Sequence, residues 1–383
     1  MPDKYLIEPD AQFIRTMTAM GAEAVKKCFQ CATCSAVCPI SPDSNPFPRK
    51  EMIWAQWGLK DRLLNDPDVW LCHQCNDCSV YCPRGGSPGD LLAAVRNYTY
   101  LNFAVPRFMG RALSRAIYLP LLFILPVIIF LGILYDIGNL RILEGEIIFA
   151  NFMPLLYVDS VFLTVSALVM LSIAASVRRF WKNLNTSGLN PAAKPSRPLL
   201  SSIVAAAVEV MTHTKFKDCG TNRIRYSGHL ATFYGFIGLF ITTTLVFIGI
   251  YVLEYGFGLH ILVPPLSLLN PVKIFANLSA IAIFIGLTIV IYNRIKRKDK
   301  AGKSTYYDWV FIIVLYTITI TGILTELTRL AEIAALAYSL YFLHLVFVFF
   351  LIAYFPYSKF AHLIYRFVAI VHSKYTNRYG ETL

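Results

Sequence analysis

From about position 117 onward the chain reads as long apolar runs separated by polar or basic connections, while the first hundred or so positions mix apolar, charged and cysteine residues at close spacing. Six runs, at 117–135, 154–177, 229–253, 272–292, 307–324 and 333–355, each approach the roughly 20 residues that carry a helix across bilayer hydrocarbon. They predict six transmembrane helices, an even number that leaves both ends on one side. A linker at 183–198, rich in Pro, Gly, Ser, Thr and Asn, interrupts the pattern. After it Ile203, Val204, Ala207, Val208 and Met211 recur at helical spacing in a stretch too short to span, which predicts a helix lying in the interface. Nearer the N-terminus, Pro48 opens a helical stretch carrying Met52, Ile53, Trp57, Leu59 and Leu63. Ser87, Pro88 and Asp90 then signal the start of a helix over 91–100.

Composition agrees: of 383 residues, 56% are hydrophobic and only 15% charged, too apolar for a soluble chain. A net charge of +12 would suit a nucleic-acid partner, but the placement of the charge excludes one. Nine Lys/Arg fall between Arg178 and Arg225, six between Arg294 and Lys303, and four from Lys359 onward, whereas the opposite connections hold only Arg141, Lys273 and Arg329. The positive-inside rule therefore puts both termini, the N-terminal part and the basic loops in the cytoplasm, with the chain crossing the inner (cytoplasmic) membrane several times. The N-terminal residues have scattered charge and no signal-peptide pattern.

Eight of the nine cysteines form the run C-x2-C-x2-C-x3-C-P twice: Cys28, Cys31, Cys34 and Cys38 before Pro39, then Cys72, Cys75, Cys78 and Cys82 before Pro83. Three thiolates three residues apart wrap one corner of a [4Fe–4S] cubane, and the fourth cysteine reaches the other cluster. The expected sets are thus Cys28, Cys31, Cys34 and Cys82 for one cluster, and Cys72, Cys75, Cys78 and Cys38 for the other. Zinc would leave the extra thiolate and the proline of each run unexplained, and a disulfide framework has no export signal behind it. Cys219 stands alone and reads as a buried or idle thiol.

Seven histidines are present. His344 and His362 lie 18 residues apart, five turns of a continuous helix, so both would share one face about 27 Å apart along the axis. That nearly matches the ~30 Å of hydrocarbon, so one helix could carry ligands to two haems stacked across the bilayer. Pro356 between them should kink this helix without breaking it. His73 lies inside a cysteine run, where it would tune solvation of the cluster, and His372 reads as a solvated tail residue.

The cysteine part, with its helical pattern, resembles the α-helical ferredoxin domain of the heterodisulfide reductase C subunit family. The stretch His344-Leu-Val, Phe355-Pro356-Tyr357, Ala361-His362-Leu-Ile resembles the last span of the respiratory nitrate reductase γ subunit, a dihaem b protein in which both such histidines are axial ligands. That family places two further ligands ten residues apart on an earlier span. Here His229 matches the first, in His229-Leu followed by Tyr234-Gly235-Phe236, while Leu239 occupies the second slot. The resemblance implies an inner haem between His229 and His362 and an outer haem with His344. His213 could complete a four-histidine set if His229 paired with His344 and His213 with His362.

As a whole the chain resembles the C subunit family of the quinone-interacting membrane-bound oxidoreductase complex, QmoC, a fusion of heterodisulfide reductase C-like and E-like parts. The expected fold class is all-α: a dicluster ferredoxin domain at 1–105, then a six-helix transmembrane cytochrome b bundle at 106–383. The resemblance implies two [4Fe–4S] clusters, two haems b, menaquinone as substrate and QmoA-like and QmoB-like flavin/iron–sulfur partner subunits, with adenylylsulfate reductase as the electron acceptor in sulfate respiration. The chain itself lacks a G-x-G-x-x-G fingerprint for a flavin, which places substrate chemistry in those partners. Three alternatives remain: a membrane subunit of a heterodisulfide reductase-like or sulfite-reduction-associated complex, a haem-free iron–sulfur anchor, and a transporter, although the spans show no mid-depth charge pairs. The quinone site has two options, an outer one marked by Glu254, His260, Lys273 and Glu326, and an inner one near Arg223, Arg225 and His213.

Overall fold

The computed structural model describes residues 8–185, 195–218, 220, 222–262 and 264–378. Most of the linker expected at 183–198, and Cys219, lie outside the described residues. The fold is all-helical, with no strand among the described residues.

Ahead of the first span, short helices gather around one long one, Pro88–Phe103. Its Leu91, Leu92, Ala94 and Val95 are buried with Phe13, Met52, Leu63 and Val69. The helix begins on Pro88, whose missing N–H costs nothing there, but Ser87 contributes no side-chain cap. The stretch expected to run on from Pro48 is divided into Arg49–Gln56 and Lys60–Leu64. Gly58 makes the break: its φ is +68°, and a Cβ there would sit 2.9 Å from the backbone nitrogen of Asp10. The amide of Asp10 donates to the Gly58 carbonyl at 3.1 Å, and the Asp10 carboxylate caps the helix Ala11–Met17.

This head does not close on itself. Trp70 stacks on Tyr365 at 5.2 Å and meets Tyr100 at 5.7 Å edge-on, while Phe180, near the end of the second span, packs on Tyr365 at 5.1 Å. Polar contacts cross the same boundary. Asn183 donates to the Leu64 carbonyl at 3.3 Å, and Arg378 donates to Asp66 at 2.8 Å and to Asp68 at 3.1 Å.

Among the described residues six helices are long and apolar enough to cross a bilayer, Ala116–Asp136, Leu155–Asn185, Arg223–Phe257, Pro271–Lys296, Tyr306–Leu330 and Ala334–Ala353, so the chain is a multi-pass membrane protein. The third and fourth pack through small residues: a Cβ on Gly235 would lie 2.7 Å from the Ser279 carbonyl, and one on Gly286 2.7 Å from the Gly228 carbonyl. The sixth leans on the first through Phe350 stacked on Phe123 at 4.2 Å. Leu163, Leu168, Leu171, Phe240 and Leu278 point outward as lipid-facing positions. The helix Leu199–Thr212 buries Ser202 and Ala206, the latter against Ile370 and Val371, and exposes Leu200, Val204, Val208 and Met211, as an interfacial helix should.

Two expectations are overturned. The sixth span ends at Ala353, and the chain passes through turns at Phe355–Tyr357 and Lys359–Ala361 before a separate helix, His362–Tyr375. Pro356 therefore breaks the helix instead of kinking it, and His344 and His362 do not share a helix face. The restart has its own cap: Ser358 is extended and its hydroxyl accepts from the Phe360 amide at 3.2 Å. His372 is not solvated either, being 3% exposed, edge-on to Trp181 at 5.3 Å and 3.2 Å from Asn185. Its amphipathic helix turns that position inward, which a tail reading overlooked.

Candidate redox centre

The two cysteine runs fold as near copies. Gln30 and Ala32 in the first, and Gln74 and Asn76 in the second, take left-handed φ of 61°, 68°, 53° and 73°, curling each loop so that its thiols converge. A one-turn helix follows in each, Thr33–Ala36 and Asp77–Val80. Donors point at sulfur: the Gln74 and Gly86 amides lie 3.2 Å from the sulfurs of Cys72 and Cys82.

The fourth cysteine of each run crosses over. Cys28, Cys31, Cys34 and Cys82 line one cavity together with Met52, Arg49 and Arg84. Cys38 instead lies within electrostatic reach of Cys72, Cys75 and Cys78. Burial, reinforced by Cys28, pushes the Cys34 thiol up to about 11, and burial with Cys72 pushes Cys38 up to about 12. These two buried thiols favour the protonated form by themselves, and a bound cation is what would ionise them. None of the eight is in a disulfide. The two centres differ in access: Cys31 is exposed and its neighbour Phe29 is 68% exposed, while Cys75 and Cys78 are buried.

Imidazoles sit directly beneath the second loop. His73 stacks on Phe216 at 5.2 Å, Phe216 meets His229 edge-on at 5.5 Å, and His213 lies 5.2 Å from His229. Burial and the Arg366 guanidinium, which contacts the His73 ring at 2.9 Å, hold His73 far below the usual imidazole range. His229 carries a buried Nδ1 with no hydrogen-bond partner. His362, within electrostatic reach of His229, has its Nδ1 2.8 Å from the Lys359 carbonyl. Phe360 wedges against Phe236 at 5.2 Å and Phe311 at 5.6 Å, joining the third and fifth spans to the turn before His362. His344 stands apart, its Nδ1 3.1 Å from both the Thr321 hydroxyl and the Ile318 carbonyl, facing Gly322. Leu239 packs in an apolar cluster with Ile283, Leu287 and Leu315.

Residues 24–86 match the 4Fe-4S dicluster domain family, so the head carries iron–sulfur clusters. Residues 110–381, most of the chain, match the family described as Citrate utilization protein B. The chain belongs to the citrate utilization protein B family. The Escherichia coli protein of that name is 26% identical over 99% of this chain and 95% of its own length. Two other relatives cover the head alone. A protein of Archaeoglobus profundus described as like the C subunit of heterodisulfide reductase is 37% identical over 22% of this chain, and the C subunit of the H(2):CoB-CoM heterodisulfide,ferredoxin reductase of Methanothermobacter marburgensis is 36% identical over 23%. This chain spans about half the length of each of those two, 46% and 48%. No solved structure matches.

For this family member the polar residues at the span ends away from the head resolve into two separate pairs. His260 lies 2.6 Å from Glu254, and Lys273 lies 2.8 Å from Glu326, which also accepts from Asn277 at 3.2 Å. On the head side Arg225 donates to the Gln74 carbonyl of the second loop, so it braces a cysteine loop. Sequence reasoning missed Phe216, Arg96 and Arg366. An aromatic residue in a basic loop carries no periodic signal, and Arg366 acquires its role only when the terminal helix docks on the head.

Proposed function

We propose that the chain is the membrane electron-transfer subunit of a quinone-linked oxidoreductase complex. One observation carries this reading: two crossed sets of four thiols stand over an imidazole and aromatic path, His73, Phe216 and His229, that leads from the second loop to the inner ends of the spans. Cys28, Cys31, Cys34 and Cys82 would hold one [4Fe–4S] cluster, and Cys72, Cys75, Cys78 and Cys38 the other. His229 and His362 would hold a haem b, with His213 beside them as the alternative axial partner. His344 would serve a second haem: its Nδ1 is anchored, which leaves Nε2 for iron, and Gly322 lacks the Cβ that would otherwise crowd the ring at 3.1 Å. Bound clusters and haems supply one-electron redox chemistry, which lets the chain split the electron pair of a menaquinol. The residues themselves exclude water around the second loop, keep His73 neutral and hold the other imidazoles in place.

The basic loops favour a cytoplasmic head. There the soluble partners would be QmoA-like and QmoB-like flavin/iron–sulfur subunits that feed adenylylsulfate reductase. The full-length similarity to citrate utilization protein B supports a second reading of that soluble end, in which the partner is a redox protein serving citrate utilisation. The head-only similarity to heterodisulfide reductase C subunits fits either.

An anaerobic spectrum of the purified chain after dithionite tests the proposal. Sharp α-band absorption is expected, about half lost in His229→Ala or His362→Ala, which share one haem, about half lost in His344→Ala, which serves the other, and fully lost when His229→Ala and His344→Ala are combined. Menaquinol analogues should reduce the haem in the wild type. A broad bleach without α-bands would leave only an iron–sulfur anchor, and absence of both porphyrin and roughly eight non-haem irons would end the proposal altogether.

A further inference from the structure

The two cysteine loops are held from outside by the same three contacts, made by different chemistry. In the first, the Gln56 side-chain amide donates to the carbonyls of Val25 at 3.1 Å and Cys28 at 3.0 Å, and its oxygen accepts from Gln30 at 2.9 Å. In the second, the Arg96 guanidinium donates to the carbonyls of Val69 at 2.9 Å and Cys72 at 3.3 Å, and to the side-chain oxygen of Gln74 at 3.0 Å. Val25 and Val69 each lie three positions before the first cysteine of their run, and Gln30 and Gln74 two positions after it. A neutral amide and a full positive charge thus occupy equivalent places. Since an amide suffices to hold such a loop, the charge on Arg96 is not needed for architecture.

We infer that Arg96 separates the reduction potentials of the two iron–sulfur centres, holding the Cys72, Cys75, Cys78 and Cys38 centre above the other. Adding an electron to a cluster makes it more negative, so a nearby positive charge favours the reduced form, and burial strengthens that effect. Arg96 is 8% exposed. Arg366, which donates to the Cys72 and Leu71 carbonyls at 3.4 Å, and Arg225, on the Gln74 carbonyl, act in the same direction. Asp77, whose carboxylate accepts from the Gly220 amide at 3.0 Å, opposes them with one negative charge. The first centre has Arg49 and Arg84 at its cavity, but both are exposed, and water screens them. Electrons would accordingly rest on the centre next to His73, Phe216 and His229. The more exposed centre would be the port for the soluble partner. Arg96 is a positioning residue here, acting on the cluster through charge and through the loop carbonyls.

The inference rests on the two-cluster reading above, and iron content keeps the two apart. The full chain, purified anaerobically with its cofactors, is titrated potentiometrically with detection by electron paramagnetic resonance. Wild type should hold about eight non-haem irons and titrate in two waves. Arg96→Gln should lower the upper wave by about a tenfold shift in the redox equilibrium, ~59 mV for one electron, and leave the lower wave in place. Arg96→Lys should keep the upper wave near its original position, which a purely structural role would not do. Gln56→Arg should raise the lower wave. A single wild-type wave, an Arg96→Gln chain with eight irons and unmoved waves, or movement of the lower wave instead would each overturn the inference. If Arg96→Gln loses iron, Gln56→Arg decides alone, and an unmoved lower wave overturns it. Absence of eight irons from the wild type would refute the two-cluster reading itself.

Discussion

Replacing Gly235 by alanine tests whether the contact between the third and fourth spans positions His229, the proposed haem ligand. A Cβ at this position would lie 2.7 Å from the Ser279 carbonyl, 2.7 Å from the Ile283 Cγ1 and 3.1 Å from the Ile283 amide nitrogen. Ordinary carbon contacts need about 3.5 Å or more, so the two helices would have to part by nearly 1 Å. Two of the three obstructing atoms are backbone, which no rotamer change can remove. Overpacking of this kind costs roughly 1–3 kcal/mol, whereas the helical preference for alanine over glycine returns about 1 kcal/mol. The net effect should be a destabilisation of up to about 2 kcal/mol, up to roughly a thirtyfold loss in the folded ratio. Gly132, on the first span, is the control, because a Cβ there meets nothing within 4 Å. Gly132→Ala should be neutral or slightly stabilising. Thermal denaturation in detergent, followed by haem absorbance and by helical circular dichroism, reads both variants. Because His229 lies on the same helix as Gly235, Gly235→Ala should also release the proposed haem at a lower temperature than it loses helix. Equal stability of the two variants would refute the packing argument.

The crossed thiol sets predict how paired substitutions combine. Cys31→Ser with Cys82→Ser should strike one centre and leave roughly four irons, while Cys75→Ser with Cys82→Ser should strike both and leave almost none; the opposite ranking in an iron assay would show that each run serves its own cluster. Burial, with Arg378 nearby, lowers His372 to about 4, so below an unfolded value of about 6.5 the unfolded chain takes up the proton first. Docking of the terminal helix should therefore be fully stable above pH ~6.5 and weaken as pH falls toward about 4. Limited proteolysis across this range should show the loss, and His372→Gln should flatten it; a wild-type profile that stays level would contradict the burial argument.

The head and membrane parts share a core, which has a consequence for the proposed electron path. Trp70 and Tyr100 from the head meet Phe180 and Tyr365 from the membrane side, and Arg366 reaches from the terminal helix to the Cys72 loop. The second cysteine loop is thereby clamped to the end of the bundle, while the first faces outward. That difference in placement is what gives two nearly identical motifs different surroundings.

The sequence alone determined the elements whose cause is local. Six apolar runs of spanning length became six spans, because lipid admits only helices with their backbone satisfied internally. The twice-repeated C-x2-C-x2-C-x3-C-P run marked where thiols would converge, since the spacing curls each loop in the same way; Cys82 lies with Cys28, Cys31 and Cys34, and Cys38 near Cys72 and Cys75. The short helix Leu199–Thr212 was legible from apolar residues at helical spacing in a stretch too short to span. Only tertiary structure decided what depends on distant partners. The last helix breaks at Pro356, and with Phe360 docked on Phe236 and Phe311 a shared face for His344 and His362 gave way to two separate helices. His372 is buried because the terminal helix packs on Trp181. Phe216 and Arg96 acquire their places only once the loops, the head helix and the spans come together. Residue spacing along a chain encodes periodicity, but contacts between segments more than a hundred residues apart depend on which surfaces meet, and no local pattern records that.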